Sequence, residues 1–210
     1  MPAARTIPIK PALRNSYVID ANFLAARYIP PVKVTDPKEQ QRITRAQDYW
    51  VHMDAQLLAG KAIVYVPDVC IAEAFKTLAR KYYHDHYFKW PAEYKAARDS
   101  LTRDIRISPR TLKAMKRTVR FHDISTSRDI IIAMDRFYEV FIKHNLSVSV
   151  PDLIILATAK FLIDFYNIPS ESLYIVTMDN QLWKGTKKFP DIPSAFNPNA
   201  PGELAAKVFH

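Results

Sequence analysis

The chain has one cysteine, Cys70, so no disulfide can form within it. A lone thiol inside an apolar stretch fits a reducing compartment, and its ordinary role is that of a small buried hydrophobe rather than a nucleophile. Long apolar runs are also missing: even Leu153 to Ile163 is interrupted by Lys160 and stops at Asp164, far short of the ~20 residues of a membrane span. The first residues carry Arg5, Lys10 and Arg14 between prolines and lack the apolar centre of a secretory signal, which predicts a flexible basic arm over 1–14. No internal repeat is present. These absences predict a soluble, cytoplasmic protein with no membrane partner.

What remains is an ordinary globular composition, with 49% hydrophobic and 24% charged residues over 210 positions, enough for one elaborated domain over 15–210. The net charge of +9 is unevenly placed. From Lys76 to Arg128 fourteen Lys and Arg face five acids, an excess of nine that equals that of the whole chain. A polyanion is the natural partner of such a segment, because each neutralised phosphate releases counterions; the plainer reading is a solvated, basic helical surface.

Hydrophobic periodicity alternates strand and helix. Asn15 to Asp20, Ala62 to Val66, Thr118 to Ile124 and Leu173 to Met178 read as strands. Asp36-Pro37-Lys38-Glu39 offers an N-cap, a first-turn proline and a capping-box glutamate for a helix whose buried stripe is Ile43, Ala46, Trp50, Met53 and Leu57 and whose stop is Gly60. The next helix, opened by Pro67-Asp68, is expected to bury Ile71, Phe75, Leu78 and Tyr82 and to leave Glu73 on the opposite face. A basic helical insertion is expected at about 83–117, with pieces near Ala92 to Arg103 and Pro109 to Lys116. Ser125 to Ser127 can cap a helix from Arg128 to Lys143, and Asp152 to Phe165 reads as a central helix, apolar on nearly every side. The tail beyond Gly185 is rich in proline and shows no clear closing strand. Alternating strands and helices predict an α/β fold, a parallel Rossmann-like sheet flanked by helices.

Four acids fall where apolar runs stop: Asp20 after Tyr17 to Ile19, Glu73 past Ile63 to Val66, Asp152 after Val148 to Val150, and Asp179 after Tyr174 to Val176. Ligands of open parallel sheets gather at the carboxyl edge, so these acids can share one pocket. Each has a simpler explanation. Asp20, Asp152 and Asp179 can cap helices, and Glu73 can pair with Lys76 or Arg80. Convergence, however, costs ~4 kcal/mol for two charges ~4 Å apart at an effective dielectric near 20, and a proton or a divalent cation must offset it. Oxygen donors without histidine or cysteine point to Mg²⁺ or Mn²⁺ rather than Zn²⁺.

The segments Val18 to Leu24, Pro67 to Leu78, Val150 to Ala159 and Ile175 to Asp179 resemble, in order, the four signature blocks of the PIN-domain nucleases, among them the VapC-type toxins. The resemblance implies a PIN-like fold in which Asp20, Glu73, Asp152 and Asp179 bind Mg²⁺ or Mn²⁺ and form the catalytic set, with Asn22 and Thr177 supporting them. It implies a metal-dependent endoribonuclease that cuts single-stranded RNA through activated water, acting as the toxin of a toxin-antitoxin pair, with a small antitoxin and a second copy of the chain as partners. The basic insertion has no counterpart in the family pattern; there Lys81, Lys89, Trp90, Arg103 and Arg106 are candidate RNA contacts. Its aromatic residues, Tyr82, Tyr83, Tyr87, Phe88, Trp90 and Tyr94, can stack on bases or pack the insertion. His84 and His86, two apart, point away from each other on a helix and make a poor metal pair. The competing class is a non-catalytic PIN module that binds RNA or protein. A structure-specific DNA nuclease is disfavoured by the absence of helix-hairpin-helix features.

Overall fold

Tyr17, Val18 and Ile19 are fully buried, as a strand covered on both faces requires, and they form the middle of the sheet. The computed structural model describes residues 14–106 and 121–203. Five strands, β1 (Asn15–Ile19), β2 (Ala62–Pro67), β3 (Phe121–Ile124), β4 (Leu173–Val176) and β5 (Ala195–Phe196), run parallel in the order β3-β2-β1-β4-β5. The helices flanking them, among the described residues, are α1 (Ala21–Ala26), α2 (Pro37–Leu58), α3 (Asp68–Tyr83), α4 (Pro91–Arg106), α5 (Arg128–Lys143), α6 (Val150–Tyr166) and α7 (Asn180–Thr186). This is the expected α/β architecture, a parallel sheet flanked by helices. From β1 the chain builds outward to β2 and β3, then crosses to β4 and β5 on the other side. The order therefore reverses between β1 and β4, the place where open α/β sheets bind ligands.

Local signals explain most elements. Asp36 caps α2 by accepting from the Lys38 N–H at 3.0 Å, Pro37 opens the helix, and Gly60 takes the left-handed φ of +67° that ends it. Glu39 does not complete a capping box; it pairs with Arg42 at 2.8 Å and with Lys81 of α3 at 2.9 Å. Two ion pairs, one local and one tertiary, take the place of the capping hydrogen bond.

Three expectations need correction. Val148 to Val150 is not a strand: the Ser149 hydroxyl accepts from the Asp152 N–H while the Asp152 carboxylate accepts from the Ser149 N–H, so a capping box with Pro151 in the first turn starts α6 there. The buried stripe of α3 is Cys70, Ala74, Leu78 and Lys81, shifted from the predicted one, because the helix packs against α1 and its partly buried flank of Ile71, Phe75 and Tyr82 meets α4. The proline-rich tail does close the sheet, through the short β5 beside β4.

The described part of the insertion is a crossover packed into the body. Ala97 and Leu101 of α4 are buried, and Asp104 accepts from the Tyr28 hydroxyl at 2.9 Å and lies 3.7 Å from Arg27, which also pairs with Asp54 at 2.8 Å. The predicted arm, the helical piece at Pro109 to Lys116 and the start of the third strand at Thr118 lie outside the described residues. β3 is described from Phe121.

Candidate active site

Asp20 follows the last residue of β1, and its own N–H donates to the Val176 carbonyl at 3.1 Å, which ties the ends of β1 and β4 together. Its carboxylate caps α1 by accepting from the Phe23 N–H at 2.5 Å, and its other oxygen accepts from the Thr177 hydroxyl at 2.5 Å and the Met178 N–H at 2.8 Å. Only 3% of the residue is exposed. Burial pushes its pKa up to about 6; the bonds from Thr177, Phe23 and Met178 oppose that rise and the negative charge of Asp152 adds to it.

Asp179 caps α7 through the N–H groups of Gln181 and Leu182, both at 2.7 Å, and its own N–H donates to the Thr177 hydroxyl at 2.9 Å. Thr177 is completely buried, so a single hydroxyl joins the two strand-end acids, accepting from the backbone of one and donating to the carboxylate of the other.

Asp152 stands in the first turn of α6 rather than at a strand end. Burial raises its pKa, bonds from Ser149 oppose the rise, and Asp179 adds to it. Glu73 is half-buried on α3, one turn after Cys70, and makes no hydrogen bond to a described residue. The Cys70 thiol registers the cluster. Burial first, then the charges of Asp20, Glu73 and Asp152, push its pKa well above the ordinary thiol value. Three of the four carboxylates thus act on one buried sulfur, and the fourth acts on Asp152.

Among the described residues no three His, Cys, Asp or Glu side chains close into a metal cage. Both oxygens of Asp20, one of Asp152 and one of Asp179 already accept bonds from the protein, which leaves one lone pair on the Asp20 oxygen that caps α1, the second oxygens of Asp152 and Asp179 and the whole Glu73 carboxylate for a ligand. An all-oxygen set carrying excess negative charge fits a hard divalent cation in kind.

The remaining candidates divide. Asn22 is exposed and bonds none of the acids; it lines a polar cavity of about 210 Å³ with Arg42, Thr77, Arg80 and Met178. Lys81 was expected to meet RNA, but it is 7% exposed and its ammonium is held at 2.9 Å by both Glu39 and Asp85. Internal ion pairs have claimed it. Lys89, Arg103 and Arg106 are exposed, and Trp90 is 57% exposed with the Lys89 ammonium 5.2 Å from its ring centre. Tyr87 and Phe88 are buried and Tyr82 stacks on Tyr94 at 4.6 Å, so most of the aromatic cluster packs the insertion. His84 ends α3, and the turn after it puts His86 at a φ of +56°.

Ser149, which holds Asp152, was missed in the sequence although Ser149-Val150-Pro151-Asp152 has the spacing of a capping box.

No protein-family model matches the chain, and no curated protein matches it. Two solved structures are similar in shape. VapBC2 from Rickettsia felis, crystallised with a DNA fragment from its promoter, shows 13% identity and a TM-score of 0.46 over 85% of this chain and 96% of that one. FitAcB from Neisseria gonorrhoeae shows 16% identity and a TM-score of 0.47 over 87% of this chain and 97% of that one. At these values no residue role and no activity passes from them to this protein.

Proposed function

We propose that this protein is a metal-dependent endoribonuclease cleaving single-stranded RNA, with Asp20, Glu73, Asp152 and Asp179 as its acidic set and Mg²⁺ or Mn²⁺ as its cofactor. The observation that supports this reading is the Thr177 hydroxyl, buried at the switch point of the sheet and bonded to both strand-end acids. Helix capping alone needs no such bridge between β1 and β4. Asp20 is the fixed member, oriented by three bonds; Asp152 and Asp179 each present one oxygen; Glu73 is the member that no hydrogen bond to a described residue holds. Mg²⁺ or Mn²⁺, when bound, supplies the positive charge that activates water and offsets charge growing on the phosphate.

The four sequence blocks extend the proposal to a PIN-domain toxin with a small antitoxin and a second copy of the chain as partners. Among the described residues no helix is long and apolar enough to cross a membrane, and we assign the protein to the cytoplasm. The second reading, a PIN module that binds RNA or protein without cutting, is favoured by the open acidic set.

Purified protein incubated with total RNA, with Mn²⁺ or with EDTA, beside folded Asp20→Asn, separates the two. The nuclease reading expects Mn²⁺-dependent cuts bearing 5′-phosphates and almost none from the variant. Equal cutting by Asp20→Asn, or cutting that persists in EDTA, would sink it.

A further inference from the structure

A cavity of opposite charge lies at the far end of α7 from Asp179. It has a volume of about 380 Å³ and is lined by His144, Leu146, Lys184, Lys187 and Lys188. The three lysines are exposed, and none forms an ion pair among the described residues; only Lys187 has a partner, the Trp183 ring 3.7 Å away. Among the described residues no acid lines the cavity. Three cations held around one hollow repel one another unless an anion enters it.

Both walls of this cavity lead to the acidic site. His144 and Leu146 lie just before Ser149, the residue that fixes Asp152, and Lys184 and Lys187 lie on or at the end of α7, which Asp179 caps. The walls are drawn together by a contact deep in the core: a Cβ on Gly185 would stand 2.1 Å from the Phe141 ring, so only glycine lets α7 approach the end of α5 this closely. A helix of seven residues spans about 10 Å, which sets the distance between the Asp179 cap and the lysines at the far end. That is short against the roughly 4 to 16 nucleotides tracked by a typical single-strand groove.

We infer that this lysine cavity is a phosphate-binding subsite for a single-stranded RNA whose neighbouring phosphate lies at the acids. Lysine ammonium groups bind the charge of a phosphodiester as point charges, without the bidentate fork that an arginine would supply. The inference deepens the nuclease reading and rests on it for the polarity of the strand, but its test does not require cleavage. The plainer role for these lysines, complementing the carboxyl end of α7, concerns stability only.

Fluorescence anisotropy of a short labelled single-stranded RNA in EDTA, repeated over a range of salt, tests the subsite. Lys184→Gln/Lys187→Gln/Lys188→Gln should bind more weakly, and because each phosphate neutralised contributes ~0.7 to the slope of log affinity against log salt, loss of this one phosphate contact should shrink the slope by about 0.7. Lys33→Gln/Lys38→Gln/Lys61→Gln, at exposed lysines elsewhere, serves as the control for net charge. Equal losses in both variants, an unchanged slope, or loss of poly-glutamate binding without loss of RNA binding would each overturn the subsite. If the wild type never cuts RNA yet the slope falls as stated, the nuclease reading fails and the subsite stands. If it cuts and the lysine variant keeps its KM and slope, the subsite fails alone.

Discussion

Asp20 is the residue at which folding and chemistry conflict. An acid whose folded pKa is raised from 3.8 to about 6 binds its proton more tightly in the native state than in the unfolded chain. Its contribution is therefore most favourable below pH 3.8 and is lost as the pH rises to about 6, a span worth about 3 kcal/mol for so buried a group. Histidines titrate in the same window, so the measurement has to be a difference. Chemical denaturation in EDTA between pH 4 and 7 should show wild-type stability falling relative to Asp20→Asn, and parallel curves would refute the assignment. Thr177 moderates this cost. Thr177→Val keeps the volume but leaves the Asp179 N–H without this partner and the buried Asp20 oxygen with the Met178 N–H alone, which should cost about 1 to 3 kcal/mol. Thr177→Ser, which restores the hydroxyl, should recover most of that loss in the same denaturation experiment.

At the scale of elements, the close approach of α7 to α5 depends on Gly185. In a free helix, Gly→Ala gains up to about 1 kcal/mol, but here the added methyl enters the Phe141 ring, and overpacking of a buried contact costs about 1 to 3 kcal/mol. The clash should win: Gly185→Ala should lower the thermal midpoint, whereas the same exchange in a Phe141→Leu background should be neutral or favourable. Additive effects of the two substitutions would show that they are not in contact. Elements carrying their own signals were legible in the sequence: Asp36 and Pro37 announce α2, Pro67-Asp68 announces α3, and the runs ending at Asp20 and Asp179 announce β1 and β4. Elements decided by partners were not. The two-residue β5 exists because β4 offers an edge, the stripe of α3 turned because α1 and α4 took opposite flanks, and Val150 entered a helix because Ser149 and Asp152 cap each other. Similarly, the positions of Asp20 and Asp179 at the ends of β1 and β4 were legible from the apolar runs before them, but neither the Thr177 bridge nor the lysine cavity was, since both arise from residues distant in the chain.

At the scale of the whole molecule, the acidic cluster is an unspent electrostatic debt that a cation can cancel. Asp20 and Asp152 are both raised by burial and by a neighbouring acid, while Glu73 has no bond to a described residue to hold it elsewhere. A ligand that binds only the folded state stabilises it by mass action, about 2.7 kcal/mol at one hundred times its dissociation constant. For a chain of 210 residues that corresponds to a rise of roughly 5 to 10 °C in thermal midpoint. Mn²⁺ or Mg²⁺ should therefore raise the midpoint at pH 7.5. The rise should shrink near pH 5, where the cation competes with a proton on Asp20, whose pKa lies at about 6. Glu73→Gln should reduce the shift without lowering the midpoint in EDTA, because no hydrogen bond to a described residue is lost. Differential scanning fluorimetry across these conditions reads the metal site without any substrate. A shift equally large at pH 5 and 7.5, or unchanged in Glu73→Gln, would mean that the cation binds somewhere other than among these acids.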